Sequence, residues 1–430
     1  MKGIYLMAVK VIGAGLAGCE AAWQLAKAGI DVELYEMKPK KFTPAHKYMG
    51  FAELVCSNSL KADRIDSAAG MLKEEMRRLG SVTMECAAET KVSAGGALAV
   101  DRKKFSDMVT AKIMENPHIT VIEEEVTDIP DGDVIIATGP LTSDELAESI
   151  GKICGDYLYF HDAAAPIVTY ESLDKDKVFF ASRYGKGEAD YINCPMNKEE
   201  YLRFYNELIN AESAPLHDFD KEHFSKDGFK VYEGCMPVEV LAKRGEDTRT
   251  GNRPYAVVQL RAENAEGSMY NLVGFQTNLK FGEQKRVFSL ITGLENAEFI
   301  RYGVMHRNTF INSPKLLNPQ FNMRDRDNLY FAGQMTGVEG YIESAASGIF
   351  AGLSMARRLQ GKPAVTLPDT TMLGALSKYI SDPTVEKFQP MGCNMGILPE
   401  LPERIRDKKL KYKMIAERGL ADLDKAIEEF

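Results

Sequence analysis

Gly13, Gly15 and Gly18 stand at Gly-x-Gly-x-x-Gly spacing directly behind the apolar run Val9-Lys10-Val11-Ile12. Glycine at those places lets a backbone turn tightly and come close to a pyrophosphate. A helix starting there turns its free N–H groups and positive dipole end toward the anion. Ala14, Leu16 and Ala17 complete the loop, and Glu36 follows about twenty residues on, where a carboxylate can hold a ribose hydroxyl. Lys38, two residues further, joins the same candidate dinucleotide site. Two thiols offer a second kind of chemistry. Cys56 lies in Leu54-Val55-Cys56-Ser57-Asn58-Ser59-Leu60-Lys61, where Ser-Asn-Ser reads as turn or helix-capping sequence and Lys61 supplies a nearby cation. A thiol beside a helix N-terminus and a cation is a better nucleophile. Cys235 lies in Tyr232-Glu233-Gly234-Cys235-Met236-Pro237-Val238-Glu239, where Gly234 and the Met236–Pro237 bond predict an extended, irregular backbone that exposes side chains, with Lys243 and Arg244 following.

The elements that must position these residues are legible as periodic runs. An amphipathic helix is predicted from about Leu16 to Ala28, ended by Gly29, and a strand over Val32 to Tyr35 delivers Glu36. Asp133-Val134-Ile135-Ile136-Ala137-Thr138-Gly139 is a short buried strand whose end, Thr138 and Gly139, turns close to a cofactor. Asn328-Leu329-Tyr330-Phe331-Ala332-Gly333-Gln334 repeats that pattern near the C-terminus, with Gly333 and Gln334 at the strand end and Gly340 and Tyr341 in the loop beyond. A helix rich in small residues follows from about Glu343 to Leu359. The fold class is therefore α/β: a Rossmann-type dinucleotide-binding domain made discontinuously from residues 1–180 and 300–430. An α+β domain is inserted over 181–299, where aromatics, prolines and short alternating runs change the texture.

Composition sets the outer limits. No apolar run approaches the ~20 residues that cross a bilayer, and Met1–Met7 has too short an apolar core for a signal peptide, so a cytoplasmic protein without membrane attachment is expected. The seven cysteines form no Cys-x-x-Cys, which leaves neither a metal site nor a dithiol motif supported, and Cys19 is expected to be buried filler. A net charge of −9 argues against a protein coated in nucleic acid but allows a local basic face. The candidates for one are Arg102-Lys103-Lys104, Lys280 with Lys285 and Arg286, Arg301 with His306 and Arg307, and the run from Arg404 to Lys413.

The opening glycine loop with Glu36, the Thr138-Gly139 strand end and the late Gly333-Gln334 motif together resemble the glutathione-reductase-like flavoproteins, which implies FAD. More specifically, the chain resembles the folate- and FAD-dependent tRNA (uracil-5-)-methyltransferases of the TrmFO family. The resemblance rests on Glu53–Leu60, Tyr232–Glu239, Asn271-Leu272-Val273-Gly274-Phe275-Gln276-Thr277, Arg301–Phe310 and Phe331–Tyr341, and covers nearly the whole chain. The last of these also fits the related GidA-type tRNA-modifying flavoproteins, which end in a larger helical domain. One stretch, Asp247–Tyr255, keeps the family's basic character but departs from its usual sequence.

The resemblance implies formation of 5-methyluridine in the tRNA T-loop, with the methylene from 5,10-methylenetetrahydrofolate and reducing power from NAD(P)H through FAD. Carbon 5 of uracil is a poor nucleophile. A thiolate adding at carbon 6 makes carbon 5 enolate-like, and a base must then remove its proton. Cys235 is the expected nucleophile, and Cys56 would assist proton removal or shield the cofactor-borne carbon; the two roles are exchangeable on sequence alone. Tyr341 is a candidate stacking surface for the folate pterin. The same chemistry on ribosomal RNA and a small-molecule flavin oxidoreductase are the alternatives.

Overall fold

The computed structural model describes residues 8–429 except 44, 156–157, 184–185, 214–253, 265, 276, 278, 386–387 and 389. Cys235, Lys243 and Arg244 lie outside the described residues.

The core is a five-stranded parallel sheet in the order Leu329–Phe331, Val134–Ile136, Val9–Ile12, Val32–Tyr35 and Ile119–Ile122. The strands are short and rich in Val, Ile and Leu, as expected where helices cover a parallel sheet. The helix Leu16–Lys27 leaves the first strand through the glycine loop and stops at Ala28, after which Gly29 takes φ +73°. The late helix spans Tyr341–Leu359, starting two residues earlier than the sequence suggests. It lies against Leu16–Lys27, and its small residues are what permit this. A Cβ at Gly348 would collide with the Ala17 carbonyl, and one at Gly352 would come within 2.7 Å of the Ala21 carbonyl.

A second, six-stranded antiparallel sheet has the order Phe179–Arg183, Lys186–Met196, Ala256–Ala262, Met269–Leu272, Ile167–Thr169, Phe299–Arg301. Strands that flank the 181–299 segment thus enter its sheet at Ile167 and at Phe299. The strand Ala256–Ala262 reads as alternating, yet nearly all of it is buried. Ala256, Val258 and Leu260 join an apolar core with Phe204 and Phe288. On the other face Gln259 donates to Asn193 Oδ1 at 2.9 Å, and Arg261 donates to Asn58 Oδ1 at 3.0 Å. The second face of this strand is covered because it meets the loop at Asn58 and, through the Tyr191 hydroxyl on the neighbouring strand, the Ala94 carbonyl.

A two-stranded ribbon, Leu158–Ala164 with Val304–Phe310, carries the chain out of the parallel-sheet half and back. The C-terminal helices Met372–Ser381 and Lys408–Glu428 pack on the parallel-sheet half. Buried Glu75 fastens the first of them by accepting from the Met372 and Leu373 amides at 2.7 and 2.9 Å. Among the described residues no helix is long and apolar enough to cross a membrane, and no cluster of side chains could hold a metal ion.

Candidate active site

The three glycines of the opening loop serve different masters. Gly13 takes φ +98°, and a Cβ there would press to 2.8 Å on the Ala137 carbonyl. At Gly18 a Cβ would collide with the Gly13 carbonyl. Both are demanded by the protein's own packing. Gly15 is not: its φ of −76° suits any residue, and a Cβ would meet nothing within 4 Å. Neither backbone conformation nor packing calls for a glycine there, which leaves room for a ligand at the helix N-terminus.

An open cavity of about 670 Å³ lies at this point, lined by Gly13, Ala14, Gly15, Glu36, Lys38 and Thr138 among others. Glu36 Oε2 accepts from the Ala14 amide at 2.9 Å and Oε1 from the Lys38 amide at 3.0 Å. Each carboxylate oxygen has a further lone pair, so the group can brace the loop and still accept from a ribose hydroxyl. Lys38 also lines the cavity, but its ammonium donates to the Gly50 and Tyr48 carbonyls at 2.6 and 3.2 Å, which makes it a strut between loops. Thr138 meets Thr142 hydroxyl to hydroxyl at 2.6 Å, and Gly139 opens a turn at φ +73°. Leu16 and Ala17 form the first helical turn, and buried Ala17 is the surface on which Gly333 and Gly348 rest.

The late motif shows the same division of labour. Gly333 (φ +80°) leads into a 3₁₀ turn over Gln334–Thr336, and Gly340 (φ +123°) precedes the helix beginning at Tyr341. A Cβ at Gly340 would strike the Glu343 carboxylate and approach the Lys61 ammonium to 2.8 Å. Lys61 Nζ lies 2.6 Å from Glu343 Oε1, which also accepts from the Cys393 amide at 2.9 Å. Lys61 therefore serves Glu343 and is not the cation that faces Cys56.

Cys56 itself lies in a loop ahead of a strand, Ser59–Ala62, and not ahead of a helix. Ser57 and Asn58 cap no helix because their side chains are used elsewhere. Arg261 donates to Ser57 Oγ at 2.6 Å as well as to Asn58 Oδ1, and Asn58 Nδ2 donates to the Ala262 carbonyl at 2.8 Å. Arg102 donates to the carbonyls of Leu54 and Cys56 at 2.7 and 3.3 Å, and Arg301 donates to the Val55 carbonyl. The amides of Cys56 and Ser57 both donate to the Tyr341 hydroxyl, at 2.6 and 3.3 Å. Burial pushes that phenol well above its usual range, so it stays neutral. Arg102 is in turn held 2.5 Å from buried Glu263, which also accepts from Asn271. Thus Cys56, Tyr341 and the edge of the six-stranded sheet come together, although they are far apart in the chain.

Arg102 and Arg301 were expected on basic surface patches; both turn inward to this loop. Many of the remaining patch residues are paired locally: Lys103 with Asp107, Lys104 with Glu266, Lys280 with Glu212, Arg286 with Glu283 and Glu207, Lys411 with Glu400. Sequence reasoning missed Arg261 and Glu263 altogether. Cys19 is fully buried and donates to the Ala14 carbonyl at 3.4 Å.

A parallel sheet with a glycine-loop helix, a carboxylate at the second strand end and a late strand–turn–helix defines an α/β dinucleotide-binding protein of flavoprotein type. The family model for "Glucose inhibited division protein A" matches residues 8–363. The chain is 57% identical to the methylenetetrahydrofolate–tRNA-(uracil-5-)-methyltransferase TrmFO of Acetivibrio thermocellus, over 98% of this chain and 99% of that one. It is also 57% identical to the protein of that name from Enterococcus faecalis, over 96% and 97%. Among solved structures, GidA of Aquifex aeolicus superposes with a TM-score of 0.69 at 16% identity, covering all of this chain and 76% of that one. The chain belongs to the TrmFO family of methyltransferases, within the wider GidA group.

Proposed function

We propose that this protein uses 5,10-methylenetetrahydrofolate to methylate carbon 5 of a uridine in the tRNA T-loop, with FAD as bound cofactor and NAD(P)H as reductant. The relatives' names supply the substrate classes. The observation that carries the reading on this chain is the junction at Tyr341. One residue both opens the late helix and holds the backbone of Cys56, which supports a reading in which the Cys56 thiol serves the reactive end of the cofactor.

The residues fit FAD. Gly15 leaves a cradle for the pyrophosphate, Glu36 has capacity for a ribose, and the strand ends at Thr138-Gly139 and Gly333-Gln334 bring backbone to the edge of the sheet where the rest of the molecule would extend. Bound FAD, once reduced by NAD(P)H, would supply the hydride that completes the methyl group. The chain's own groups do the remainder. Cys235 adds to carbon 6 of the uracil, Cys56 takes up the carbon-5 proton or guards the carbon being transferred, and Tyr341 offers its ring face to the pterin, since its hydroxyl is committed to the Cys56 loop. The uridine must leave its stack to reach this junction.

Tritium release from carbon-5-labelled uridine in a T-loop transcript tests the reading. Release that needs methylenetetrahydrofolate and falls on replacing either Cys56 or Cys235 is the expected result. A wild-type protein that holds flavin but releases no tritium overturns it.

A further inference from the structure

A ladder of aromatic rings runs from the core of the six-stranded sheet to the surface. Phe288 is fully buried in that core. Phe299 lies 6.4 Å from it between ring centroids. Tyr302 stacks on Phe299 at 5.3 Å with the planes 10° apart, and Phe281 stacks on Tyr302 at 5.0 Å and 15°. Phe299 and Tyr302 are half-buried, whereas Phe281, the outermost ring, is 55% exposed. A single exposed apolar residue is ordinary. A succession of near-parallel rings that ends in an open one is different, because it presents a π-face on which a further planar group can continue the stack. The platform is also rigid. From the helix Phe281–Phe288, the buried Gln284 side chain donates to the Gly303 carbonyl and accepts from the Gly303 amide, both at 2.7 Å. One clamp therefore holds Phe281 and Tyr302 together, and little side-chain freedom is left to lose when a ligand lands.

Two neighbours suit a nucleotide. Gly282 follows the ring, and a Cβ there would meet nothing within 4 Å, so packing does not call for glycine and a flat group has room beside Phe281. Lys285 stands four residues on, which puts it on the same face of the helix. It is exposed and makes no ion pair among the described residues, whereas Lys280 is engaged by Glu212, and Arg286 by Glu283 and Glu207. An open π-face beside an unspent ammonium matches a base and its phosphate. Arg301, the residue before Tyr302, donates to the Val55 carbonyl in the Cys56 loop, which ties the ladder to the part of the molecule a target uridine must enter.

We propose that Phe281 is a stacking platform for an unpaired base of the RNA substrate flanking the methylated uridine, and that Lys285 receives a phosphate of the same strand. The inference rests on the methyltransferase reading for the identity of the RNA, but binding can be measured without any turnover.

The experiment is the binding of an unmodified tRNA transcript to the flavin-loaded protein, followed by fluorescence anisotropy across a salt series. Phe281→Ala is expected to bind about 5- to 150-fold more weakly than wild type, the range for loss of one base–aromatic stack. Phe281→Leu keeps an apolar side chain without a π-face and is expected to lose nearly as much. Phe281→Trp restores the face and is expected to stay within about threefold of wild type. Lys285→Gln is expected to reduce the slope of log affinity against log salt by about 0.7, the value of one phosphate on a single strand. Flavin content and melting temperature show whether each variant is folded; should Phe281→Ala fail there, the Leu and Trp variants carry the comparison. A Phe281→Ala protein that binds like wild type overturns the proposal, and so does a Phe281→Leu protein that does, since the contact is then apolar and not stacking. Slower flavin reduction by NADPH in the Phe281 variants without RNA would assign the ring to the reductant and also overturn it. Binding that depends on Phe281 with no tritium release would sink the methyltransferase reading while leaving the platform intact.

Discussion

Replacing Gly15 by Ala separates what the fold needs from what the ligand needs. A Cβ at this position enters open space, and φ of −76° is comfortable for alanine. Losing glycine's freedom in the unfolded chain stabilises by roughly 0.4–1 kcal/mol, and alanine's poorer N-cap character costs about as much, so the folded protein should change by less than about 1 kcal/mol. The methyl group instead occupies the cradle at the helix N-terminus. Overfilling a packed contact costs about 1–3 kcal/mol, which is about a 5- to 150-fold loss of flavin affinity. The assay pairs flavin titration, followed by fluorescence quenching, with the melting of the flavin-free protein. Gly18→Ala is the control: its Cβ collides with the Gly13 carbonyl, so it should lose about 3 kcal/mol of stability even without ligand. A Gly15→Ala protein with wild-type flavin affinity, or one that melts like Gly18→Ala, refutes the assignment of Gly15 to the cofactor.

Other outcomes follow from the same geometry. Tyr341→Phe strips the acceptor from the Cys56 and Ser57 amides, so kcat should fall by about tenfold or more, the net worth of the two hydrogen bonds lost, while flavin content holds; an unchanged kcat would show that the loop is held by the arginines alone. Glu75 is pushed up to about 8 by burial, from an ordinary 4.5. The folded state therefore holds a proton that the unfolded state releases, and stability should decline as pH rises from about 4.5 toward 8, by up to about 1.4 kcal/mol per unit. Denaturation across that range checks it, and Glu75→Gln should flatten the slope. On 5-fluorouridine RNA, Cys235→Ala should abolish the covalent complex and Cys56→Ala should retain it; the reverse result would exchange the two roles.

The parallel-sheet half was legible because its signals are local. Val9–Ile12, the glycine spacing, Gly29 and Val32–Tyr35 each report on residues within one turn or one strand, and the structure repeats them almost residue for residue. The surroundings of Cys56 were not legible because nothing local forms them. Arg261 reaches Ser57 across 204 positions, Arg301 reaches Val55 across 246, and Tyr341 reaches Cys56 across 285. Ser57-Asn58-Ser59 misleads for the same reason: polar side chains that commonly cap a helix are here spent on a distant guanidinium, and the chain is free to run on as a strand. Arg102 and Arg301 looked like surface charge because a sequence shows an arginine's charge and not its direction. The one local hint was the strand Ala256–Ala262, whose Gln259 and Arg261 interrupt an otherwise apolar run and so call for partners.

The most direct measurement is transfer of isotope from the folate carbon. Purified protein, carbon-labelled methylenetetrahydrofolate, NADPH and an unmodified tRNA transcript are incubated, and the digested nucleosides are separated. Label is expected in 5-methyluridine from the T-loop, in amounts that follow flavin content. Flavin-loaded protein that leaves the nucleosides unlabelled would contradict the proposed activity.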